Sequence, residues 1–227
     1  MYLPSHLLYW TIFLFFKCLA QFRALFGASR VPQYDKDAIS VDKDSNHVAV
    51  MCCNQLFHFQ ALWPQDGDVA VDEGDIGDIL QAISIHAHKI HNQNNSSSSE
   101  DNKTTSDESS LSALGVLTSL GRKQWAKARE EMIAYSPTKN TEGFRLVDTA
   151  LFVLVLDDYI PKNKHEAAAN MLHGSYELSS SEQQSTSTEV VGDYNKEYQS
   201  GSCTNRWYDK LQIIVTADGG AGINFEH

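Results

Sequence analysis

Apolar residues along the chain recur at the spacings of helices and strands, and the two kinds of segment follow one another. Val, Phe and Cys dominate two short runs on either side of Asn54 and Gln55, a pattern typical of a hairpin or a strand pair. After Asp75, isoleucine and leucine at helical spacing predict an amphipathic helix with acidic residues at its start. Since strands and helices alternate, the sequence predicts an α/β fold with a mixed sheet.

The remaining expected elements follow from the same two periodicities. A segment at 141–157 begins as a helix and ends as an apolar strand, and its internal boundary stays open. The expected strands are 47–53, 56–62, 114–118, 205–216 and 222–227, and the expected helices are 75–91, 122–135 and 164–173.

Two polar stretches interrupt this pattern, at residues 92–110 and 179–202. The first has no apolar residue, and Ser, Thr and Asn supply 13 of its 19 positions. The second offers only two valines and two tyrosines. Such sequences cannot bury enough apolar surface to offset the entropy lost on ordering, so both stretches are expected to be mobile loops.

The first 21 residues contain an apolar run of ten, from Leu7 to Phe16, which ends at Lys17. A membrane-spanning helix needs about 20 apolar residues, so this run is short. No basic region precedes it and no Ala-x-Ala-like site follows it, which argues against a secretory signal. Three interpretations stay open: a buried helix, a segment that contacts a membrane, and sequence outside the ancestral domain.

The charge balance and the cysteine count limit the classes of function. The 227 residues carry 18 Lys and Arg against 29 Asp and Glu, a net charge of −11, and no basic run. Such a chain lacks the electrostatic footprint of nucleic-acid binding, so no nucleic acid is expected as a partner. Four cysteines are too few for a disulfide scaffold and predict free thiols in a reducing compartment. The cytoplasm is the expected location, with mitochondria and peroxisomes left open.

The commonest signatures of cofactor and catalytic sites do not occur in the sequence. Gly-x-Gly-x-x-Gly, Gly-x-x-x-x-Gly-Lys-Ser/Thr and Gly-x-Ser-x-Gly are all absent, which argues against dinucleotide, P-loop and serine-hydrolase sites. His86, His88 and His91 form a cluster, but offsets of two and five residues point to different faces of a helix. These histidines therefore cannot converge on one ion, and no metal site is predicted.

The remaining candidate for chemistry lies at the C-terminal end. Asn205 to Lys210 (NRWYDK) begins an expected strand, a Gly-rich turn follows, and Glu226 and His227 close the sequence. By composition alone, a histidine at the end of an apolar strand is more often structural than catalytic. Imidazole is nevertheless the side chain best suited to proton transfer near neutral pH.

Seven sequence blocks in a fixed order carry a family resemblance. They are FRALFGASRVPQ (22–33), HVAVMCCNQLFHFQAL (47–62), LGVLTSLGRKQWAKAR (114–129), DTALFVLVLDD (148–158), NMLHG (170–174), TNRWYDKLQIIV (204–215) and DGGAGINFEH (218–227). Together they resemble the choline/carnitine O-acyltransferase family, most of all its fungal carnitine acetyltransferases. The resemblance covers residues 22–227 apart from the two polar stretches, which gives one domain over 22–227 behind a leader at 1–21.

The resemblance implies that His227 is catalytic. In the family, the histidine of this Glu-His pair takes a proton from the carnitine hydroxyl, or from the thiol of coenzyme A, and no covalent acyl-enzyme forms. Carnitine and acyl-CoA are the implied substrates, and no permanently bound cofactor is expected. Glu226 either orients the imidazole or faces solvent, since adjacent strand residues point to opposite sides. Arg206, Trp207 and Asp209 are expected to support the site without contacting substrate.

The same resemblance implies the first half of a coenzyme A-dependent acyltransferase fold, a mixed sheet with packed helices, truncated at His227. In the family, the residues that bind coenzyme A and the carnitine carboxylate lie after this histidine, so the chain offers no candidate for them. The alternative to a carnitine O-acetyltransferase is therefore a truncated, catalytically inactive fragment of such an enzyme. A membrane-associated scaffold is a third hypothesis, and it rests only on the run from Leu7 to Phe16.

Overall fold

Strands and helices alternate in the folded chain, as the sequence predicts. The computed structural model describes residues 25–64, 67–96, 114–175 and 202–225. The leader at 1–21, most of the two polar stretches, Glu226 and His227 lie outside these ranges. Within them, no helix combines the length and the apolar character that crossing a membrane requires.

Five strands of the described part form one mixed sheet in the order β4-β3-β5-β6-β7. The strands are β1 Ala28–Val31, β2 Ala38–Val41, β3 His47–Cys52, β4 Gln55–Gln60, β5 Val153–Leu156, β6 Gln212–Val215 and β7 Ala221–Asn224. β3 and β4 form the predicted antiparallel hairpin, while β3, β5 and β6 run parallel and β7 returns antiparallel to β6. β1 and β2 form a separate antiparallel pair that the hydrophobic pattern does not predict. The prediction of an α/β fold with a mixed sheet is confirmed.

Four α-helices accompany these strands in the described ranges. They are α1 Glu73–Ser96, α2 Arg122–Tyr135, α3 Pro137–Asp148 and α4 Lys164–His173. Helices α2 and α4 have the predicted bounds. The ends of α4 show why: the Asn163 side chain accepts a hydrogen bond from the Glu166 amide at 3.0 Å, and Gly174 after the helix has φ of 77°. An Asn at the N-cap and a glycine directly after the helix are signals that a sequence displays.

One face of the sheet packs against α2 and α3 to form the core. Val153 and Val155 of the central strand β5 are fully buried. The Trp125 ring meets the rings of Phe144 and Trp207 edge to face, at centroid distances of 6.0 and 6.3 Å. Burial of a side chain the size of Phe144 contributes roughly 1.5–3 kcal/mol, so this cluster holds both helices on the strands. The other buried members are Ala49, Met51, Val147, Ala150 and Ile214.

The apolar run at 114–118 forms no strand, so that prediction is wrong. It lies in a 3₁₀ helix, Leu114–Ser119. Gly115 approaches the backbone carbonyl of Arg206 so closely that a side chain there would collide with it. Thr118 Oγ1 donates to the Gly115 carbonyl at 2.6 Å. A five-residue segment with Leu114, Val116 and Leu117 does not distinguish a strand from a buried helical turn, and here a contact distant in sequence decides.

The predicted strand at 205–216 is also too long. Only Gln212–Val215 pairs as a strand, and residues 205–211 form a turn-rich segment with no strand in it. Arg206, Asp209 and Lys210 of this segment bind partners on three different elements. Because strand residues alternate between two faces, a regular strand could not direct the three side chains to these partners. The strand predicted at 222–227 is Ala221–Asn224 in its described part.

Helix α1 extends farther than predicted. It begins after Asp72, whose Oδ1 accepts a hydrogen bond from the Asp75 amide at 2.8 Å, and continues to Ser96. The prediction that residues 92–96 belong to a loop is therefore wrong. Once a helix is nucleated, each added residue gains a backbone hydrogen bond, so polar residues can prolong it into solvent. Residues 97–110 lie outside the described residues.

Candidate functional site

Arg206 is fully buried and binds the carboxylate of Asp157 through two parallel hydrogen bonds. Nη1 donates to Asp157 Oδ1 at 3.0 Å and Nη2 donates to Oδ2 at 2.8 Å, and neither side chain is exposed. The two nitrogens also donate to the carbonyls of Asn205 and Asn170, at 2.8 and 2.7 Å. Because Asp157 directly follows β5 and Asn170 lies on α4, the guanidinium joins both elements to the segment that leads into β6.

Two asparagines complete the surroundings of Asp157. Asn170 Nδ2 donates to Asp157 Oδ2 at 3.2 Å, and Asn205 Nδ2 donates to Oδ1 at 3.2 Å. Asn205 Nδ2 also bonds the Leu156 carbonyl at 2.9 Å. Each carboxylate oxygen therefore accepts one bond from the arginine and one from an asparagine, which compensates a charge that would otherwise be costly to bury.

Asp209 lies at the centre of a second buried cluster. Its Oδ2 accepts a hydrogen bond from Trp125 Nε1 at 2.6 Å, and its Oδ1 lies 2.7 Å from Arg122 Nη1. Arg122 also pairs with Asp37, which Arg30 contacts as well, each at 2.6 Å. Burial raises the pKa of the Asp209 carboxyl, and the bonds from Arg122 and Trp125 oppose that shift. The cluster joins helix α2 to the β1–β2 pair.

Lys210 links the segment at 205–211 to two further elements. Its Nζ donates to the carbonyl of Ala28 on β1 at 2.7 Å and to the carbonyl of Asp148 at the end of α3 at 2.9 Å. Burial lowers the pKa of the Lys210 ammonium to about 8. The ammonium therefore begins to lose its proton within an accessible pH range.

We expect the free energy of unfolding to rise as the pH increases from about 8 towards 10.5, the ordinary pKa of lysine. Between these values the folded chain has released the Lys210 proton and the unfolded chain has not. The unfolded state then binds more protons, so raising the pH favours the folded state. Urea denaturation across this range measures the effect. Lys210→Met should flatten the rise, whereas Lys127→Met, at a side chain 68% exposed, should preserve it. If the free energy of unfolding still rises with pH in Lys210→Met, deprotonation of Lys210 is not its cause.

A tight turn joins β6 to β7 and sets the direction of the final strand. Asp218 Oδ1 accepts hydrogen bonds from Thr216 Oγ1 at 2.6 Å and from the Gly220 amide at 3.1 Å, and these bonds lower the pKa of the Asp218 carboxyl. Gly219 has φ of 82°, a conformation that glycine adopts without strain. The turn sends the chain back along β6.

Strand β7 runs antiparallel to β6 and returns the chain to the end of the sheet at which β6 begins. Asn224 lies opposite Gln212, and its Nδ2 donates to the Leu172 carbonyl of α4 at 2.9 Å. Phe225, the last described residue, is 52% exposed. The hairpin and α4 therefore fix the backbone up to two residues before His227.

Two cavities open at the surface of the described part. One of about 400 Å³ lies between α4 and the β6–β7 turn, with Lys164, Met171 and Ala221 in its lining. The other, of about 620 Å³, is lined by His47, His58 and other residues around the start of β3. Neither Arg206 nor Asp209 lines either cavity.

A family comparison accounts for nearly the whole chain. The model of the family described as Choline/Carnitine o-acyltransferase matches residues 12–227. The chain belongs to this family. The match includes Arg206, Asp209, Glu226 and His227, and it confirms the resemblance that the seven blocks carry.

Curated relatives show the same membership. The chain is 30% identical over 212 residues to "Putative mitochondrial carnitine O-acetyltransferase" of Saccharomyces cerevisiae, covering 91% of the chain and 27% of that protein. It is 29% identical to "Carnitine O-palmitoyltransferase 2, mitochondrial" of Xenopus tropicalis, with 92% and 24% covered. It is 28% identical to human "Choline O-acetyltransferase", with 92% and 23% covered. The chain therefore spans about a quarter of the length of these relatives, whose names differ in both acyl group and acceptor.

The predicted site residues of this family member fall into two groups. Arg206 and Asp209 are placed in two separate buried clusters, and Glu226 and His227 lie outside the described residues. Asp157, the partner of Arg206, is not among the site residues predicted from the sequence. An available signal is its position directly after a buried apolar strand, where an acidic side chain needs a buried partner.

Proposed function

We propose that this chain supplies the general base of a carnitine O-acetyltransferase, with His227 moving the proton as an acetyl group passes between coenzyme A and carnitine. The observation that carries the proposal is the family match, which extends through Glu226 and His227. The choice of acetyl and carnitine is supported by the name of the yeast relative, at 30% identity.

The chemistry asked of His227 is proton transfer in both directions. When acetylcarnitine forms, the imidazole takes the hydroxyl proton of carnitine while the hydroxyl oxygen attacks the thioester carbonyl carbon. The carbon–sulfur bond then breaks, and the imidazolium returns the proton to the departing thiolate of coenzyme A. A side chain that titrates near pH 6.5 can serve as base and as acid at neutral pH. The acetyl group never bonds to the protein, and coenzyme A is a cosubstrate, so no permanently bound cofactor is involved.

In this proposal Arg206 and Asp209 are positioning residues. Both are buried, at 0% and 3% exposure, which supports a role without substrate contact. Arg206 and Asp157 hold the entry to β6 against β5 and α4, and β7 is paired to β6. The backbone that leads to His227 thus depends on this ion pair. Glu226 is proposed to orient the imidazole.

We also propose that residues 1–227 by themselves do not catalyse the transfer. Holding donor and acceptor in reactive geometry can supply about 7–11 kcal/mol of barrier reduction. The chain spans 27% of the length of the yeast relative. The family resemblance implies that the residues that bind both substrates lie after His227. The proposed compartment is the cytoplasm, which cell fractionation would test against the mitochondrial names of the yeast and frog relatives.

Carnitine-dependent thiol release from acetyl-CoA tests the proposed function. The protein expressed from the whole reading frame and residues 1–227 alone are assayed in parallel, and we expect release only from the former. Replacing carnitine by choline, or acetyl-CoA by palmitoyl-CoA, should lower kcat/KM at least about tenfold. A preference for choline or for palmitoyl-CoA would overturn the substrate assignment and leave the family membership intact.

A further inference from the structure

A group of metal-binding side chains lies at the carboxyl ends of β3 and β5, away from the C-terminal hairpin. Cys52 is the last residue of β3, Cys53 begins the turn to β4, and His88 lies on α1. One ligand atom from each, two sulfurs and an imidazole nitrogen, lie within 4.8 Å of one another. Asp158, just after β5, places its Oδ2 2.9 Å from His88 Nε2 and 3.9 Å from Cys53 Sγ. Three elements distant in sequence thus converge on one point.

The turn conformation explains how adjacent cysteines reach the same point. Consecutive residues of a strand direct their side chains to opposite faces, so neighbouring cysteines would normally diverge. Cys53 and Asn54 instead have φ of 49° and 63°, the two positive values of a type I′ hairpin turn. Asn, Asp and Gly favour that conformation, and cysteine does not. The turn therefore holds Cys53 in an unfavourable conformation that brings its sulfur to that of Cys52.

His88 is oriented with one nitrogen towards the group. Its Nδ1 lies 2.7 Å from the Ser84 carbonyl oxygen, which can only accept, so Nδ1 carries a proton and donates it. Nε2 then faces Asp158 and the sulfurs. Histidines that bind metals almost always donate their other ring nitrogen to a carbonyl or a carboxylate in this way. His86, two residues earlier, packs against the Phe57 ring instead, at a centroid distance of 6.1 Å.

We propose that Cys52 Sγ, Cys53 Sγ, His88 Nε2 and Asp158 Oδ2 bind one Zn²⁺ ion. Two thiolates, an imidazole and a carboxylate suit this borderline-soft cation and do not suit Mg²⁺ or Ca²⁺, which prefer oxygen. Zinc bonds of about 2.0–2.3 Å place tetrahedral ligand atoms roughly 3.3–3.8 Å apart. The ligand atoms of Cys52, Cys53 and His88, which lie within 4.8 Å of one another, must therefore approach by up to about 1 Å. The 2.9 Å separation of His88 Nε2 from Asp158 Oδ2 must lengthen slightly.

The site is accessible and its role is structural. The side chains of His88 and Asp158 are 38% and 70% exposed, so the ion can enter from solvent. Bound there, it ties α1 to the β3–β4 turn and to the end of β5. The Gln55 side chain already bonds the Ala87 carbonyl of α1 at 3.0 Å, so the ion reinforces an existing contact. The spacing of the three histidines predicts no metal site, because the pairing of a single histidine with vicinal cysteines arises only in the fold.

Co²⁺ and Zn²⁺ added to the reduced, chelator-treated chain test this site without reference to acyl transfer. One equivalent of Co²⁺ should give a thiolate-to-cobalt charge-transfer band and the intense visible bands of tetrahedral cobalt, and Zn²⁺ should abolish both. Cys53→Ser and His88→Asn should each weaken Zn²⁺ binding by at least about tenfold. A variant with Cys18→Ser and Cys203→Ser keeps only the two proposed thiols and should bind like the parent, as should His86→Asn.

Circular dichroism of each variant establishes that it is folded before the metal is added. A reduced and folded parent chain that gives no cobalt spectrum and binds no Zn²⁺ would overturn the proposal. So would a spectrum that persists in folded Cys53→Ser or His88→Asn, or one that disappears when only Cys18 and Cys203 are replaced. A rise in the thermal midpoint with Zn²⁺, present in the parent and absent in His88→Asn, would support the structural role.

Discussion

Replacing Arg206 by methionine should destabilise the fold by about 3–5 kcal/mol. The side chains of Arg206 and Asp157 are both 0% exposed, so the change leaves a buried carboxylate without its cation. Asn170 and Asn205 would remain as its side-chain donors. Because domains are typically stable by only about 5–15 kcal/mol, the loss is a large part of the total. Urea denaturation at neutral pH would record it as a lower midpoint.

Arg145→Met is the matched control for this prediction. Arg145 pairs with Glu142 at 2.7 Å, but the two side chains are 56% and 54% exposed. Solvent screens such pairs and they contribute little, so the midpoint should stay close to that of the parent. Arg206→Lys keeps the charge but loses the two parallel hydrogen bonds to Asp157, so its midpoint should fall between those of the other two variants. An Arg206→Met midpoint no lower than that of Arg145→Met would show that the buried pair does not hold the sheet.

The sequence predicts elements whose signals are local. Helix α4 is bounded by an Asn cap and a glycine, and both its ends are correct. The hairpin of β3 and β4 follows from two apolar runs around a short turn. The mixed sheet follows from the alternation of these elements. Each of these features depends on residues a few positions apart, which a pattern can display.

The features that the sequence does not predict depend on distant partners. The run from Leu114 forms a 3₁₀ helix because Gly115 must approach the Arg206 carbonyl. Arg206 and Asp157 are 49 residues apart, and nothing local marks them as a pair. The same limit applies to His88 and Cys53, because they lie on different elements and no local pattern marks them as neighbours. For the candidate catalytic residue, family resemblance carries the prediction, since spacing alone favours a structural histidine.

His227→Ala should lower the turnover number by at least about 10²-fold, the low end of what a general base contributes. Without the imidazole, no group in the proposed mechanism takes the carnitine proton during attack on the thioester. Carnitine binding should change little, because in this mechanism the base is not the main ligand for the acceptor. The effect therefore falls on kcat, and the KM for carnitine stays near its original value.

The measurement that tests the central claim most directly is the kcat for carnitine-dependent release of coenzyme A from acetyl-CoA, in the protein expressed from the whole reading frame. Wild type, His227→Ala and His165→Ala are compared, with His165 as an exposed histidine of α4 that serves as the control. We expect His227→Ala to lose at least about 10²-fold in kcat at an unchanged urea midpoint, and His165→Ala to keep the wild-type rate. A folded His227→Ala enzyme that retains most of the wild-type kcat would contradict the assignment of His227 as the base.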